Sequence, residues 1–356
     1  MTNRVGQHFG DYRLMQLIGK GGFADVYLGE HVRRKTLTAV KVLHARLAQD
    51  NLKSFLNEAR SFRLKHPHII QMLDFGLEDD FPYLVMDYAP NGSLRQRHPK
   101  GAQLPLPTIV TYVKQIADAL QYAHDEGVIH RDIKPDNMLL AQDDRVLLSD
   151  FGIASIAQTV ASLNLRDQAG TVTYMSPEQL QGRPRPASDQ YSMGIVVYEW
   201  IAGNRPFKGT FTEIHSQHLA ALPPSLRERV PSLPAAIEEV VMTALTKDPR
   251  HRFANMRAFA NALEQAYLIS LPPVPTHYQP VDIAPKPFQR PASTTLPPVS
   301  DYTPSSPPSR APQPASGAFS MPVASPDTYT VSKPVNESPA SEPAVKKKKR
   351  WFFTEK

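Results

Sequence analysis

His130-Arg131-Asp132-Ile133-Lys134-Pro135-Asp136-Asn137, followed after twelve residues by Asp150-Phe151-Gly152, is the stretch on which the fold turns. Asp132, Asn137 and Asp150 put three oxygen-bearing side chains in one short region, flanked by the apolar runs 137–140 and 146–149. Hard oxygen donors suit Mg²⁺, which keeps several waters and takes its remaining ligands from substrate phosphates. A solvated polar loop would account for any one of these residues. It does not account for their types, order and spacing together.

Working outward, Lys41 stands inside the strand-like run Leu37–Leu43, where an unpaired ammonium is costly to bury. It needs anionic company. Glu58, in a helix pattern spanning about 48–64, is one candidate, and nucleotide phosphates are another. Gly19-Lys20-Gly21-Gly22-Phe23-Ala24-Asp25-Val26 lies between two strand-like runs rather than between a strand and a helix, which argues against a dinucleotide fold. Glycines at a tight hairpin let backbone N–H groups approach phosphate oxygens. By itself, such a stretch is more commonly a plain glycine-rich hairpin.

The runs 12–19, 24–31, 37–43, 69–77 and 82–88 predict a five-stranded antiparallel sheet. From Pro107 the period becomes helical: Ile109, Tyr112, Val113, Ile116, Leu120 and Ala123 recur at three and four, and Gly127 supplies the stop. Further helices are expected over 189–202, 211–219, 234–245 and 255–268. The apolar stretch 191–202 contains Glu199 and is short enough to be a buried helix rather than a membrane span.

Composition sets the outer limits. The 356 residues include no cysteine, which excludes disulfides, cysteine-ligated zinc and thiol nucleophiles. More than half of the 35 prolines fall after Leu271, so 271–345 is expected to be a disordered, partly polyproline tether. Of the net charge of +6, +4 falls after residue 270, chiefly in Lys346–Arg350, which argues against a nucleic-acid partner for the near-neutral front portion. The coda 346–356 joins Lys346–Arg350 to three aromatics, suited to an anionic bilayer surface; a solvated charge run is the simpler alternative.

Taken together, these residues resemble the eukaryotic-like Ser/Thr protein kinases, in wording most like the bacterial membrane-associated branch. The resemblance runs from about Tyr12 to Leu268, with Ser176-Pro177-Glu178 in place of Ala-Pro-Glu. It implies an α+β, two-lobed kinase fold over 1–270. The smaller lobe, about 1–88, would be a five-stranded antiparallel sheet with one main helix, and the lobe at about 89–270 mainly helical. It implies a non-specific serine/threonine protein kinase using ATP and Mg²⁺, with Mn²⁺ as a substitute.

The family's roles carry over residue by residue. Lys41, held by Glu58, would grip the α- and β-phosphates beneath Gly19–Val26. Asp150 and Asn137 would hold the metal, Asp132 would accept the substrate hydroxyl's proton, and Lys134 would neutralise the transferring phosphoryl group. Ile18, Val26, Ala39 and Leu139 would line the adenine slot, Met86 would guard its back, and the backbone from Asp87 to Ala89 would bind the purine edge. Glu178 would be braced by Arg252, with Asp189 as a further structural match. Ala24 departs from the pattern, standing where a third glycine is usual.

Regulation is expected at Arg131, beside which an activation-segment anion can dock. That segment carries Thr159, Ser162, Thr171 and Thr173. Asp167 sits four residues before Thr171, where it can supply permanent negative charge. Thr171 is expected to hydrogen-bond Asp132 and Lys134 rather than accept phosphate. Expected partners are proteins bearing Ser/Thr, a second copy for trans-autophosphorylation, and an anionic membrane. The expected location is cytoplasmic, peripheral at the inner face of the plasma membrane. Relatives often continue into a membrane helix, so the ending here is expected to reflect a truncated or split product, or else a peripheral contact. A pseudokinase scaffold and a small-molecule phosphotransferase are the alternatives. The intact Lys41, Glu58, Asp132, Asn137 and Asp150 set argues against the first, and Lys134 with Arg252 against the second.

Overall fold

A computed structural model of the chain describes residues 4–22, 24–44, 64–151 and 172–272. The chain divides into two units, 1–278 and 279–356, and every described residue belongs to the first. The expected helix over 48–64 therefore falls almost wholly outside the described residues, as do the expected tether and the basic coda.

The smaller lobe is a six-stranded antiparallel sheet. Its strands are β1 (His8–Phe9), β2 (Tyr12–Lys20), β3 (Ala24–His31), β4 (Leu37–Leu43), β5 (Met72–Glu78) and β6 (Phe81–Asp87), in the order β1-β2-β3-β4-β6-β5. The expectation of five strands is corrected by β1. Two residues are too short for an alternating pattern to register, but Phe9 is buried and meets Tyr83 edge-on at 5.6 Å. With Tyr12, Leu14, Tyr27, Val40, Val42 and Val85 it forms a small core on one face of the sheet.

Register decides what the other face carries. Val26, Lys41 and Leu84 are cross-strand neighbours, as are Leu28, Ala39 and Met86. Paired residues share a face, and alternate residues along a strand share it too. Lys41, Ala39, Val26 and Met86 therefore point together, away from the Phe9 core.

The larger lobe is built on helices α1 (Leu94–Arg97), α2 (Leu106–Asp125), α3 (Pro177–Leu180), α4 (Pro186–Ala202), α5 (Phe211–Ala220), α6 (Leu226–Arg229), α7 (Ala235–Ala244) and α8 (Met256–Ser270), with a hairpin of β7 (Met138–Leu140) and β8 (Val146–Leu148). On α2 the three-and-four spacing places Ile109, Val113, Ile116 and Leu120 wholly inside. Each such side chain contributes roughly 1.5–3 kcal/mol by leaving water.

Helix α4 is the axis of this lobe: every residue from Ser188 to Ile201 is buried. Gly194 permits the close approach of the chain after α7, since a Cβ there would lie 3.0 Å from Leu245 Cδ2. Gly203, at φ 73°, ends the helix in the left-handed conformation. The apolar stretch is thus a core helix, and among the described residues no helix is long and apolar enough to cross a membrane.

Candidate active site

The loop between α2 and β7 is held from below by a single carboxylate. Asp189, 1 % exposed on α4, accepts the N–H of His130 at 2.9 Å and of Arg131 at 2.8 Å, and pairs with His124 Nε2 at 2.7 Å. Arg131 has φ 68°, a conformation that costs a non-glycine residue about 1–3 kcal/mol and persists only where the surroundings over-determine it. The paired amides and the bond from Gln179 Nε2 to the Arg131 carbonyl, 2.6 Å, supply that constraint.

His130 then joins the loop to the strand that delivers Asp150. It is fully buried; its Nε2 donates to the Ser149 carbonyl at 2.8 Å and its Nδ1 accepts the Asp132 N–H at 3.2 Å. One ring nitrogen donates and one accepts, so a neutral imidazole satisfies both. Ser149 also donates its N–H, 2.9 Å, and its hydroxyl, 3.0 Å, to the Asn137 carbonyl. These bonds fix Asp132, Asn137 and Asp150 relative to one another.

At the mouth, Asp132 Oδ2 accepts from Lys134 Nζ at 2.7 Å and from Asn137 Nδ2 at 2.9 Å. Its Oδ1 has no hydrogen bond among the described residues. Lys41 Nζ forms an ion pair with Asp150 Oδ1 at 2.7 Å, reaching across from the sheet. Burial alone would raise the Asp150 pKa, but Lys41, and then Lys134, more than offset this, and the carboxyl lies below the usual range. Glu58, the other partner expected for Lys41, lies outside the described residues.

The donor set fits a divalent metal. The Asn137 amide nitrogen is committed to Asp132, turning the amide oxygen away, and Asp150 keeps a second carboxylate oxygen beside the one used by Lys41. Among the described residues no three His, Cys, Asp or Glu side chains converge as a metal cage. A two-donor set is what a Mg²⁺ ion completed by waters and phosphates requires.

Beside these polar groups lies an apolar slot. Ala24, Ala39, Leu43, Leu84 and Met86 pack with Ile18, Val26, Ala89 and Leu139, so every side chain expected at an adenine slot belongs to one cluster. The Asp87 N–H is used internally, donating to the Gln71 carbonyl at 3.0 Å, while the Ala89 N–H has no hydrogen-bond partner among the described residues. Against Met86 and Asp150 of this site lies a cavity of about 40 Å³, also lined by Ile70 and Phe151, large enough for water but not for a nucleotide.

The glycine-rich hairpin is tight at Gly21, whose N–H donates to the Ala24 carbonyl at 2.9 Å; a Cβ there would lie 3.1 Å from that oxygen. Ala24 has no left-handed backbone, so its methyl costs no strain. Ala24→Gly is therefore expected to change the KM for nucleotide by less than about fivefold in steady-state kinetics, the cost of a little extra loop entropy. Phe23 lies outside the described residues, as do Thr159, Ser162, Asp167 and Thr171. Thr173 is described and buried, 7 % exposed, in a short 3-10 turn over Val172–Tyr174, so its hydroxyl is not open to modification in this conformation. Arg131 has a buried Nε with no hydrogen-bond partner among the described residues.

Two further buried networks brace the larger lobe. Arg252 donates to Glu178 Oε1 at 2.7 Å and Oε2 at 2.9 Å, bracing the start of α3. Arg95 donates to the Tyr174 hydroxyl at 2.6 Å and to Glu199 at 3.1 Å, and approaches Asp136 at 3.6 Å. The second network was not legible in the sequence, because its members lie 25 to 104 positions apart.

The chain matches the family described as "Protein kinase domain" over residues 12–268. It belongs to the protein kinase family. This kinase domain is similar to serine/threonine-protein kinase PrkC of Bacillus subtilis (strain 168), 36 % identical over 249 residues, which cover 68 % of this chain and 38 % of the relative. It is 37 % identical over 277 residues to serine/threonine-protein kinase Pkn1 of Myxococcus xanthus, covering 74 % of this chain and 39 % of the relative. Serine/threonine-protein kinase PknF of Mycobacterium tuberculosis (strain ATCC 25618 / H37Rv) is 35 % identical over 272 residues, covering 72 % and 56 %. The chain thus spans from 38 % to 56 % of the length of these relatives. The kinase domain accounts for the two-lobed α+β architecture described above.

Proposed function

We propose that the cleft transfers the γ-phosphoryl group of ATP to Ser or Thr hydroxyls of proteins. The observation that carries this is the convergence of Lys41, Asp132, Lys134, Asn137 and Asp150 beside an apolar slot, with a backbone N–H at Ala89 that has no partner among the described residues. The adenine ring sits between Ala39 and Val26 on one side and Leu139 on the other, with its edge at Asp87–Ala89. Mg²⁺ held by Asp150 and Asn137 would neutralise charge on the β- and γ-phosphates.

The remaining work falls to the chain's own groups. Lys41 holds the α- and β-phosphates. Asp132 Oδ1, free of other bonds among the described residues, takes the hydrogen bond of the incoming hydroxyl and aligns its oxygen with the γ-phosphorus. Lys134, already beside Asp132, offsets charge on the phosphoryl oxygens in flight. Phosphoryl transfer asks mainly for positioning and electrostatics, so no covalent nucleophile is needed. Lys134 two residues after Asp132 favours Ser/Thr acceptors, and the Glu178–Arg252 platform favours a protein over a small molecule.

In this reading regulation acts through Arg131, whose Nε has no partner among the described residues: an anion of the activation segment, from Asp167 or phosphorylated Thr159 or Ser162, docks beside it. Trans-autophosphorylation by a second copy and contact of Lys346–Arg350 with the anionic inner face of the plasma membrane complete the reading.

The test is Mg·ATP titration of the full chain with phosphoamino-acid analysis of labelled product. Lys41→Met is expected to weaken uptake at least about tenfold, the loss of one charge-assisted contact, and label is expected on serine and threonine. Label on tyrosine, or on a small-molecule acceptor in preference to protein, would contradict the reading.

A further inference from the structure

One ion pair beside the cleft takes no part in the chemistry above. His44 directly follows β4, and Asp25 on β3 pairs with Val42 two residues earlier, so both lie on the face of the sheet away from Lys41. His44 Nδ1 is 3.1 Å from the Gly22 carbonyl oxygen in the glycine-rich loop. Its Nε2 is 3.2 Å from Asp25 Oδ1, an ion-pair distance off the line of a hydrogen bond.

Both neighbours are acceptors only. A neutral imidazole has a single N–H: if that hydrogen faces Gly22, a lone pair faces the carboxylate, and the reverse arrangement is no better. Only the imidazolium is attracted to both. Asp25 Oδ1 and His44 Nε2 are buried and have no other partner among the described residues, so nothing else relieves the mismatch of the neutral ring. His130 shows the contrast, with a carbonyl on one nitrogen and an N–H on the other.

We propose that His44 is a positioning residue for the phosphate-binding loop. As the imidazolium it ties the Gly22 carbonyl to Asp25 and holds the Gly19–Gly22 amides toward the nucleotide phosphates. Loss of its proton leaves one of the two acceptors unmatched, which loosens that tie and weakens nucleotide binding. The proposal rests on the nucleotide reading of the cleft.

The groups around the pair support the direction. Lys20 lies opposite Asp25 on β2, and Val42 on β4 is apolar. Tyr27, two residues along β3, has its pKa raised by burial and then by the Asp25 charge, so it stays neutral where His side chains titrate. Binding is then tighter at the lower pH, where the doubly protonated ring that matches both acceptors is favoured.

The experiment is Mg·ATP titration of the full chain by calorimetry at about pH 6 and about pH 8, with magnesium in excess so that the nucleotide's own ionisation is constant. Wild-type affinity is expected to fall about tenfold across that step, the worth of one charged contact. His44→Arg, a permanent cation, is expected to bind tightly at both values, and His44→Gln weakly at both. Wild type and His44→Gln sharing one pH profile, or His44→Arg keeping the wild-type fall, overturns the proposal. Should His44→Gln not fold, the comparison of wild type with His44→Arg still decides. No uptake by the wild type at either pH contradicts the nucleotide reading itself; uptake insensitive to pH contradicts only the role of His44.

Discussion

Asp132→Asn is expected to leave nucleotide uptake nearly intact and to lower phosphoryl transfer by about 10²–10⁴-fold, the range for loss of a positioned proton acceptor. The hydrogen bonds around the carboxylate say why so conservative a change matters. Lys134 Nζ and Asn137 Nδ2 both donate to Oδ2, so an amide at this position must place its oxygen there to satisfy them. Its NH₂ then falls where Oδ1 was, facing the incoming hydroxyl with a donor instead of an acceptor. Lys134, to which the proposal gives the neutralising role, stays in place, as do Lys41 and Asp150. Uptake measured by calorimetry and turnover measured by label transfer should therefore separate. A variant with turnover within a few-fold of wild type would remove Asp132 from the role.

Arg252→Ala is expected to destabilise the described unit by about 3–5 kcal/mol, the cost of leaving a buried carboxylate without its partner. All five guanidinium N–H groups are used: two on Glu178, and one each on the carbonyls of Thr246, Ala187 and Lys247. The side chain is fully buried and Glu178 nearly so. For a unit of this size the loss corresponds to a melting temperature lower by roughly 10 °C, read by calorimetry or circular dichroism. Arg252→Lys should recover little, because an ammonium has three donors and no fork. A lysine variant melting like wild type would contradict this account of the brace.

The same pair gives stability a pH dependence of definite sign. Burial would raise the Glu178 pKa, but Arg252, then Ser188, lower it below the usual carboxylate value. A carboxyl held low in the folded state contributes fully above its unfolded pKa, near 4.5, and that contribution is lost as the pH falls through the folded value. The acid limb of the melting curve should thus be shallower in Arg252→Ala than in wild type.

Legibility in the sequence followed the range of the interactions. Helices α2, α5, α7 and α8 were readable because a local three-and-four rhythm decides which face is buried, and α4 because its apolar run is nearly continuous; all begin within three residues of expectation. Strand β1 was not, since two residues have no rhythm and are held only by Phe9 reaching the core. The loop from His130 to Asn137 was recognisable from residue type and spacing. What holds it in a strained conformation, Asp189 with His124, became visible only when α2 and α4 were packed together. His44 and Arg95 carried no sequence signal at all: each is an ordinary polar residue at the end of an element until a distant carboxylate meets it.

The measurement that bears most directly on the central claim is transfer of label from γ-labelled ATP, with magnesium, to protein hydroxyls by the full chain and by Asp132→Asn matched for nucleotide uptake. Phosphoserine and phosphothreonine from the wild type, nearly abolished in the variant, is the predicted result. Bound nucleotide with no transfer by the wild type, or equal transfer by the variant, would contradict the assignment of the cleft.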